Sequence, residues 1–452
     1  MHVCRRWRSV VFGSPRRLNL RLFCRIKFPY KTPARETLDV WPPLPLAIWW
    51  DDFEPKSMDF VVAVLERSDR VPVVLIDFCG DFIDDGLKKK VVAEMQRSFP
   101  ELVRLVLKLP YYSMPTVLPD LFLGGSAPRL RTLKLTGISF PGLPKLLLSS
   151  PHLVDLQLVD HIGYLSLEAM VTALSTLTSL RVLSLRLLSS QSLPDRESSR
   201  PTPTRSLLPV LVTLMYHGFC EYLDDLVARI DAPHLNKLDV TFVDQNIFEI
   251  RQIPQFIQFI TRTSTFDVLK TAHISYQDFG AGVRLLSETP IYRELSVKIP
   301  YPYGELDLHF LCLERLCTLP LPLLSTLEDL YIFEGIACPN WPNDTLWLEL
   351  LRPFTAVKNL YLSGAFASRI APVLQELVGE RTTEVLPALE TIYVEESRTW
   401  GAFQIGIEKF IAARQLSGHT ITVTPLLGNK RKKAKVERIV VSRRVLLTSR
   451  VV

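Results

Sequence analysis

The residues in this sequence best placed for chemistry are histidines, cysteines and paired carboxylates. His309-x-x-Cys312 with Cys317, and His217-x-x-Cys220, have a spacing that a zinc ion can use. A structural zinc site wants four ligands and usually a paired C-x-x-C, and neither group has them. Leu311, Leu313 and Leu316 surround the first group, so its cysteines are expected to be buried apolar residues, and Cys220 is read the same way. Asp84-Asp85 and Asp224-Asp225 are adjacent acids without a convergent base, and read as helix-start or solvent-facing residues. Gly280-Ala281-Gly282 lacks the third glycine of a dinucleotide fingerprint and reads as a turn. There is no G-x-S-x-G, no phosphate-binding P-loop and no H-E-x-x-H. With no set of nucleophile, base and orienting group, the chain is expected not to be an enzyme and to hold neither metal nor cofactor.

What does recur is a spacing of apolar residues. A Pro, Ser or Thr is followed by apolar residues at +2, +5 and +7. Copies are Pro100-Leu102-Leu105-Leu107, Pro128-Leu130-Leu133-Leu135, Pro151-Leu153-Leu156-Leu158 and Thr178-Leu180-Leu183-Leu185. They continue through Pro209-Leu211-Leu214-Tyr216, Pro233-Leu235-Leu238-Val240, Pro290-Tyr292-Leu295-Val297 and Ser325-Leu327-Leu330-Ile332. The last are Thr355-Val357-Leu360-Leu362 and Pro387-Leu389-Ile392-Val394, with weaker copies at Leu269, Ala272, Ile274 and at Val73, Ile76, Phe78. Successive +2 residues from Leu102 to Leu389 lie 23 to 35 residues apart. L-x-L is the inward face of a short strand, because side chains alternate with period two. Intervening segments such as Leu167–Leu177 and Trp347–Pro353 read as helices. One strand-plus-helix unit cannot bury its apolar face, but stacked neighbours can. The pattern resembles leucine-rich repeats, whose period is roughly 20–29 residues. The Asn expected three residues after the last strand Leu is missing. Pro110, Ile138, His161 and Leu188 stand there, which predicts longer, irregular turns.

In such a repeat the residue between the strand leucines points to the concave side. In chain order these are Val106, Lys134, Gln157, Ser184, Met215, Asp239, His273, Ser296, Tyr331, Tyr361 and Tyr393. Tyr331, Tyr361 and Tyr393, flanked by Phe333 and Glu395, are predicted to form an aromatic ridge that holds a protein target. Tyrosine is enriched at binding hot spots, and it also suits strands and cross-strand pairing.

The chain has 452 residues, 47% hydrophobic and 22% charged, which describes an ordered protein with a large core. Residues 1–35 carry ten Lys/Arg and no acid, and 428–452 carry nine with one acid, Glu437. The ends thus hold +18 against a net +6, which leaves 36–427 at −12. An acidic body is not expected to bind nucleic acid. Seven irregularly spaced cysteines argue against a disulfide framework and for a reducing compartment, cytoplasmic or nuclear. No apolar run approaches the roughly 18–20 residues a membrane span needs. Ser189–Ser206, rich in Ser, Pro and Arg, reads as a disordered loop leaving the array, and Pro300–Gly304 as a turn-like break.

Val3, Trp7, Val10 and Val11 share one face of a predicted helix that ends at Gly13 and Pro15. The run Val3-Cys4-Arg5-Arg6-Trp7-Arg8 with Ser14-Pro15 closely resembles the last helix of the F-box, and the first part of that domain is missing here. Together with the repeats and the segment Phe410-Ile411-Ala412-Ala413-Arg414-Gln415, the chain resembles the F-box/leucine-rich-repeat proteins of mushroom-forming fungi. The resemblance implies an adaptor of an SCF-type ubiquitin ligase, with Val3, Cys4, Trp7 and Pro15 at the Skp-type adaptor and a protein target on the repeat. A stand-alone repeat scaffold without ligase coupling is the alternative. The Arg-rich, acid-free N-terminus also fits a mitochondrial presequence. Lys430-Arg431-Lys432-Lys433-Ala434-Lys435 resembles a nuclear-localisation patch, or is a solvated tail.

The expected architecture is therefore α/β: an irregular leucine-rich-repeat solenoid (horseshoe) with a short N-terminal helical F-box remnant. Residues 1–37 would be the partial F-box, 38–427 the repeats and 428–452 a basic, disordered tail.

Overall fold

The computed structural model describes residues 22–25, 36, 38–39, 45–50, 58–78, 85–109, 116–159, 166–187, 205–243, 253–277, 280–300, 321–334, 344–377, 381, 383–395 and 400–426. Val3, Cys4, Trp7 and Pro15, the loop up to residue 204, the pair His309 and Cys312 with Cys317, and the basic tail lie outside these. The chain divides into two compact units. Unit 1 comprises residues 1–238 with 253–263, and unit 2 comprises 239–252 with 264–452.

The sheet of unit 1 runs in chain order and is parallel throughout. Its strands are β1 (Leu22–Arg25), β2 (Leu46–Trp50), β3 (Val73–Asp77), β4 (Arg104–Lys108), β5 (Thr132–Thr136), β6 (Asp155–Val159), β7 (Val182–Arg186) and β8 (Thr213–Gly218). Among the described residues its longer helices are α1 (Met58–Leu65), α2 (Asp85–Glu94), α3 (Leu143–Leu148), α4 (Leu167–Thr176), α5 (Cys220–Ala228) and α6 (Pro254–Arg262). The repeated leucines fall in register. Leu105 pairs with Leu133, Leu133 with Leu156, Leu156 with Leu183 and Leu183 with Leu214. Each of these five is fully buried, as are the +2 residues Leu102, Leu130, Leu153, Leu180 and Leu211. Burying one such side chain is worth about 1.5–3 kcal/mol, so the column of leucines dominates the stability of the unit.

The structure explains the proline that opens each copy. The carbonyl at −1 accepts from the +2 amide: Phe99 from Leu102, Ala127 from Leu130, Ser150 from Leu153, Leu208 from Leu211 and Ala232 from Leu235, all at 3.1–3.3 Å. Proline thus sits at the second position of a tight turn, where its fixed φ suits the geometry and no N–H is wanted. The −1 residue is buried too, a core position absent from the sequence pattern. Next, one carbonyl in each turn accepts two amides of the following copy at 2.8–3.1 Å. Pro72 takes Val103 and Arg104, Val103 takes Arg131 and Thr132, and Arg131 takes Val154 and Asp155. After the strands, Leu109 donates to Thr136 and Gly137 to Val159, both at 2.9 Å, and Leu187 to His217 at 2.7 Å. The main chain satisfies itself across copies in these turns, and the Asn ladder is not needed there.

Several expectations need correction. The weak first copy is out of register: Val74 pairs with Leu105 and Ile76 with Leu107, so Val71, Val74 and Ile76 are its inward set rather than Val73, Ile76 and Phe78. The sequence pattern missed β2, where Ile48 and Trp50 pair with Val74 and Ile76. Ser206, placed at the end of the disordered loop, pairs with Ile230 in a two-stranded side sheet. Asp224 is not simply solvent-facing. Helix α6 starts at Pro254 with Ile253 as its cap, which offers no side-chain acceptor. Asp224 on α5 supplies it instead, accepting from the Phe256 amide at 2.8 Å. One helix thereby caps the next repeat's helix.

Burial pushes the Asp224 carboxyl up to about 6, against the Phe256 amide, which pulls it down, and with Asp225, which adds to the rise. An unfolded aspartate titrates near 3.9. The folded group therefore holds its proton more tightly, contributes stability below that value, and loses the contribution as pH rises through about 6. Asp224→Asn keeps the acceptor and never ionises. By denaturant titration it is expected to be roughly 1–3 kcal/mol more stable than the natural protein at pH 8, with the gap closing by pH 4. A gap that stays constant across that range would refute the assignment.

Unit 2 departs from chain order. Its strands are β9 (Lys237–Phe242, in this unit from Asp239 onward), β10 (Thr271–Gln277), β11 (Gly280–Leu286), β12 (Glu294–Pro300), β13 (Asp329–Glu334), β14 (Asn359–Leu362), β15 (Thr391–Glu395) and β16 (Thr422–Leu426). Their order in the sheet is β9-β12-β11-β10-β13-β14-β15-β16. Strand β11 runs antiparallel to both β10 and β12, whereas β10, β13, β14, β15 and β16 are mutually parallel. Helices α7 (Asp344–Leu351), α8 (Gly364–Gln375) and α9 (Trp400–Leu416) also belong to this unit. Gly280-Ala281-Gly282, expected as a turn, begins β11. Tyr292, expected inside, is exposed, and of its copy only Leu295 and Val297 are buried. The later copies hold: Leu327, Leu330, Ile332, Val357, Leu360, Leu362, Leu389, Ile392 and Val394 are all buried.

Candidate protein-binding face

Between the buried +5 and +7 residues of unit 2, the +6 residues stand on the opposite side of the sheet. Alternation requires this, and parallel pairing then stacks like positions. Tyr331 pairs with Tyr361, and Tyr361 with Tyr393. The rings of Tyr331 and Tyr361 lie 4.0 Å apart at 1°, and those of Tyr361 and Tyr393 4.6 Å apart at 8°. His273, in register with Tyr331, stacks on it at 4.6 Å and 14°. The result is one column of four rings. All four residues are half-buried. Such pairs are worth about 0.5–1.5 kcal/mol each beyond area burial, so the column also stiffens its own sheet. Mutual stacking covers the inner ring faces.

Burial, the negative charge that Tyr361 would carry once ionised and a hydrogen bond to Tyr361 raise the Tyr331 phenol well above its ordinary value, and the Asp329 and Glu288 carboxylates add to this. Burial likewise raises Tyr361, where the hydrogen bond from Tyr331 partly offsets it. The Tyr331 and Tyr361 phenols stay neutral at physiological pH. Beside the rings runs a polar ladder. The Asn359 amide donates to Asp329 at 2.9 Å, and the Thr422 hydroxyl lies 3.2 Å from that of Thr391.

The first end of the column was misread from sequence. Ser296 does not stand between His273 and Tyr331. Its neighbour is Arg284 on β11, which in turn pairs with His273. Ser296 is buried, as is Val106 in unit 1, so neither contributes to an open face. Arg284 pairs with Glu294 at 2.5 Å and hydrogen-bonds the Tyr292 hydroxyl.

No family model and no curated protein matches this chain. Among solved structures, TLR13 in its complex with ssRNA13 is similar at a TM-score of 0.32 and 12% identity, over 87% of this chain and 48% of that one. The chain thus spans about half the length of that protein. The repeat character rests on the strand register and the leucine column described above. A leucine-rich-repeat-like fold of this kind suggests protein binding.

Tyr331, Tyr361 and Tyr393 are brought together as predicted. Phe333 stands in register with Ser275, two residues beyond Tyr331 on the same strand, and Glu395 with Leu426 at the last strand pair. Sequence reasoning missed His273 as part of the column, and Asp329 and Glu288 as its acids. The +4 position of the repeat would have given Asp329. Glu288 sits in the turn between β11 and β12, and no repeat position points to it. Cys220 is buried at the start of α5, and its partner in the doubtful metal spacing, His217, lies on β8. Among the described residues, no group of His, Cys, Asp or Glu is arranged to hold a metal ion, and no helix is long and apolar enough to cross a membrane.

Proposed function

We propose that this protein is a substrate-recognition adaptor of an SCF-type ubiquitin ligase, working in the cytoplasm or nucleus, which holds a protein target on the sheet face of unit 2. The observation that carries the binding half is the His273–Tyr331–Tyr361–Tyr393 column: large, rigid, half-buried rings with polar tips, backed by a leucine interior. Rigid aromatic area costs little entropy to bury, which is why such residues dominate binding energy. The coupling half is supported by the Val3-Cys4-Arg5-Arg6-Trp7-Arg8 and Ser14-Pro15 resemblance to the F-box. In this reading the chain supplies no catalytic residue, and ubiquitin transfer belongs to other subunits.

Replacing Tyr331, Tyr361 and Tyr393 together by Ser is expected to abolish target capture, read by proximity labelling in cells, in a protein that still folds although it loses three ring pairs worth roughly 1.5–4.5 kcal/mol in all. A labelled set unchanged by the triple substitution would refute the binding half. The coupling half is tested with a purified Skp-type adaptor against the full chain with and without Val3–Pro15. Binding that needs those residues supports it. A chain that captures its target but not the adaptor is a stand-alone scaffold.

A further inference from the structure

We infer that the partner of the unit 2 face is an extended basic segment whose arginine or lysine side chains lie against the tyrosine column. This rests on the reading that the face binds protein, and it names the class of partner.

The argument is one of charge. Register gives the solvent-side positions of β13 to β16 that flank the column. They hold Asp329, Asn359, Thr391 and Thr422 on one side and Glu395 and Leu426 on the other. With the tyrosines and Thr424, these positions contain two carboxylates and no lysine or arginine. Glu288, an exposed residue, lies close enough to act on both the Tyr331 and Tyr361 hydroxyls. Among the described residues, the nearest cations of the same sheet by register are engaged, Arg284 with Glu294 at 2.5 Å and Lys298 with Asp239 at 3.1 Å. The positive rim residues Lys270 and Lys358 share Glu328 at 3.2 and 3.1 Å. The face is therefore an array of phenols set among acids.

A partner carboxylate placed there would meet like charge and gain only phenol hydrogen bonds. A guanidinium or ammonium gains the acids and can also donate to the phenol oxygens. Parallel strands repeat about every 4.8 Å across the sheet. A peptide crossing the strands in extended form advances about 6.6 Å for every two residues, so the four rings, roughly 14 Å from first to last, span about three alternate side chains. That geometry favours a segment with several basic residues over a single one.

The experiment is a selection of phage-displayed random 12-residue peptides on the full chain, counter-selected against the Tyr331/Tyr361/Tyr393→Ser protein. The enriched peptides are expected to be rich in Arg and Lys. The best of them, made synthetically, is expected to bind about tenfold more weakly to the Asp329→Asn/Glu395→Gln protein, and more weakly at high salt. Those substitutions keep shape and hydrogen-bond acceptors, and circular dichroism checks that both proteins fold. Enrichment of neutral or acidic peptides that still need the tyrosines would overturn the basic partner and leave the binding face standing. No enrichment over the counter-selection would overturn both. A synthetic peptide of residues 428–437, carrying the chain's own Lys430–Lys435 run, that displaces the selected peptide supports recognition of basic segments in general. Failure to displace it at a hundredfold excess counts against charge as the main determinant.

Discussion

Arg414→Ala is expected to destabilise unit 2 by roughly 3–5 kcal/mol, among the largest effects of any single substitution in the chain. Arg414 sits in α9 with no solvent exposure, yet it is a cation. It donates to the carbonyls of Val385 at 2.8 Å, Leu386 at 2.9 Å and Pro387 at 3.1 Å, and lies 5.2 Å from the centre of the Phe410 ring. Burial lowers its pKa, the mark of a desolvated charge. The carbonyls belong to the turn that leads into β15, where Leu386 is held at φ 50°, a left-handed conformation costing about 1–2 kcal/mol for a residue with a side chain. Removing the guanidinium takes a donor from the buried Val385 carbonyl and the half-buried Pro387 carbonyl, leaves Leu386 with only the Leu389 amide at 3.0 Å, and opens a cavity beneath a strained turn. Lys offers a single charge point in place of the planar fork, so Arg414→Lys is expected to recover less than half of the loss. Hydrogen exchange should show the amides of 385–395 opening first. Loss spread evenly over unit 2, or none, would contradict this role.

The same device recurs in unit 1 in a weaker form. Arg262, ending α6, donates to the carbonyls of Val227 at 2.7 Å and Ile230 at 3.1 Å, and pairs with Asp231 at 2.8 Å. Its side chain keeps 24% of its exposure, so water can replace part of what substitution removes. Arg262→Ala should cost less than Arg414→Ala. In both places a helix-end arginine holds the carbonyls of the preceding copy, a task that the repeat's missing Asn would share in a regular array.

The second large effect is expected from Leu156→Ala. Leu156 has no exposure and is flanked in register by Leu133 and Leu183, which are equally buried. Its replacement should cost about 3–5 kcal/mol, the lost transfer energy plus a cavity that a stack gripped from both sides cannot easily close. Because each copy contacts mainly its neighbours, the loss should appear first as local opening of β5 to β7 rather than as uniform weakening. Denaturant titration gives the magnitude and hydrogen exchange the location. A cost under about 1 kcal/mol would mean that Leu156 is not core.

The leucine copies were legible because L-x-x-L-x-L combines a turn residue with a period of two, and nothing else in the chain competes with that signal. Where the signal is diluted, the reading slipped. Val71 to Phe78 is nearly all apolar, so alternation is invisible, and only the pairing of Val74 with Leu105 fixes the register. Strand β2 carries Pro45 where a copy would place its +2 leucine, and it escaped the pattern. The β10-β11-β12 meander reverses strand order, which no local pattern of residues encodes. Gly280 and Gly282 make β11 look like a turn, although pairing with β12 is what leaves no room there: a Cβ on Gly282 would meet Lys298 at 3.0 Å. The tyrosine column was legible because it needs only the register of adjacent copies. Its extension by His273 was not, because chain order put Ser296 in between.

The central claim is that the +5 and +7 residues of the repeated strands are interior, and that the +6 residues between them, Val106 and Ser296 apart, lie on the other, more open side. Single cysteines placed at consecutive positions test it directly: Leu156→Cys and Leu183→Cys against Gln157→Cys and Ser184→Cys, each in the full chain and labelled with a maleimide under native conditions. Peptide-level mass spectrometry separates the new thiol from the natural ones. The fold described here predicts fast labelling at 157 and 184 and protection at 156 and 183 that disappears only on unfolding. Equal labelling at 156 and 157 would contradict it.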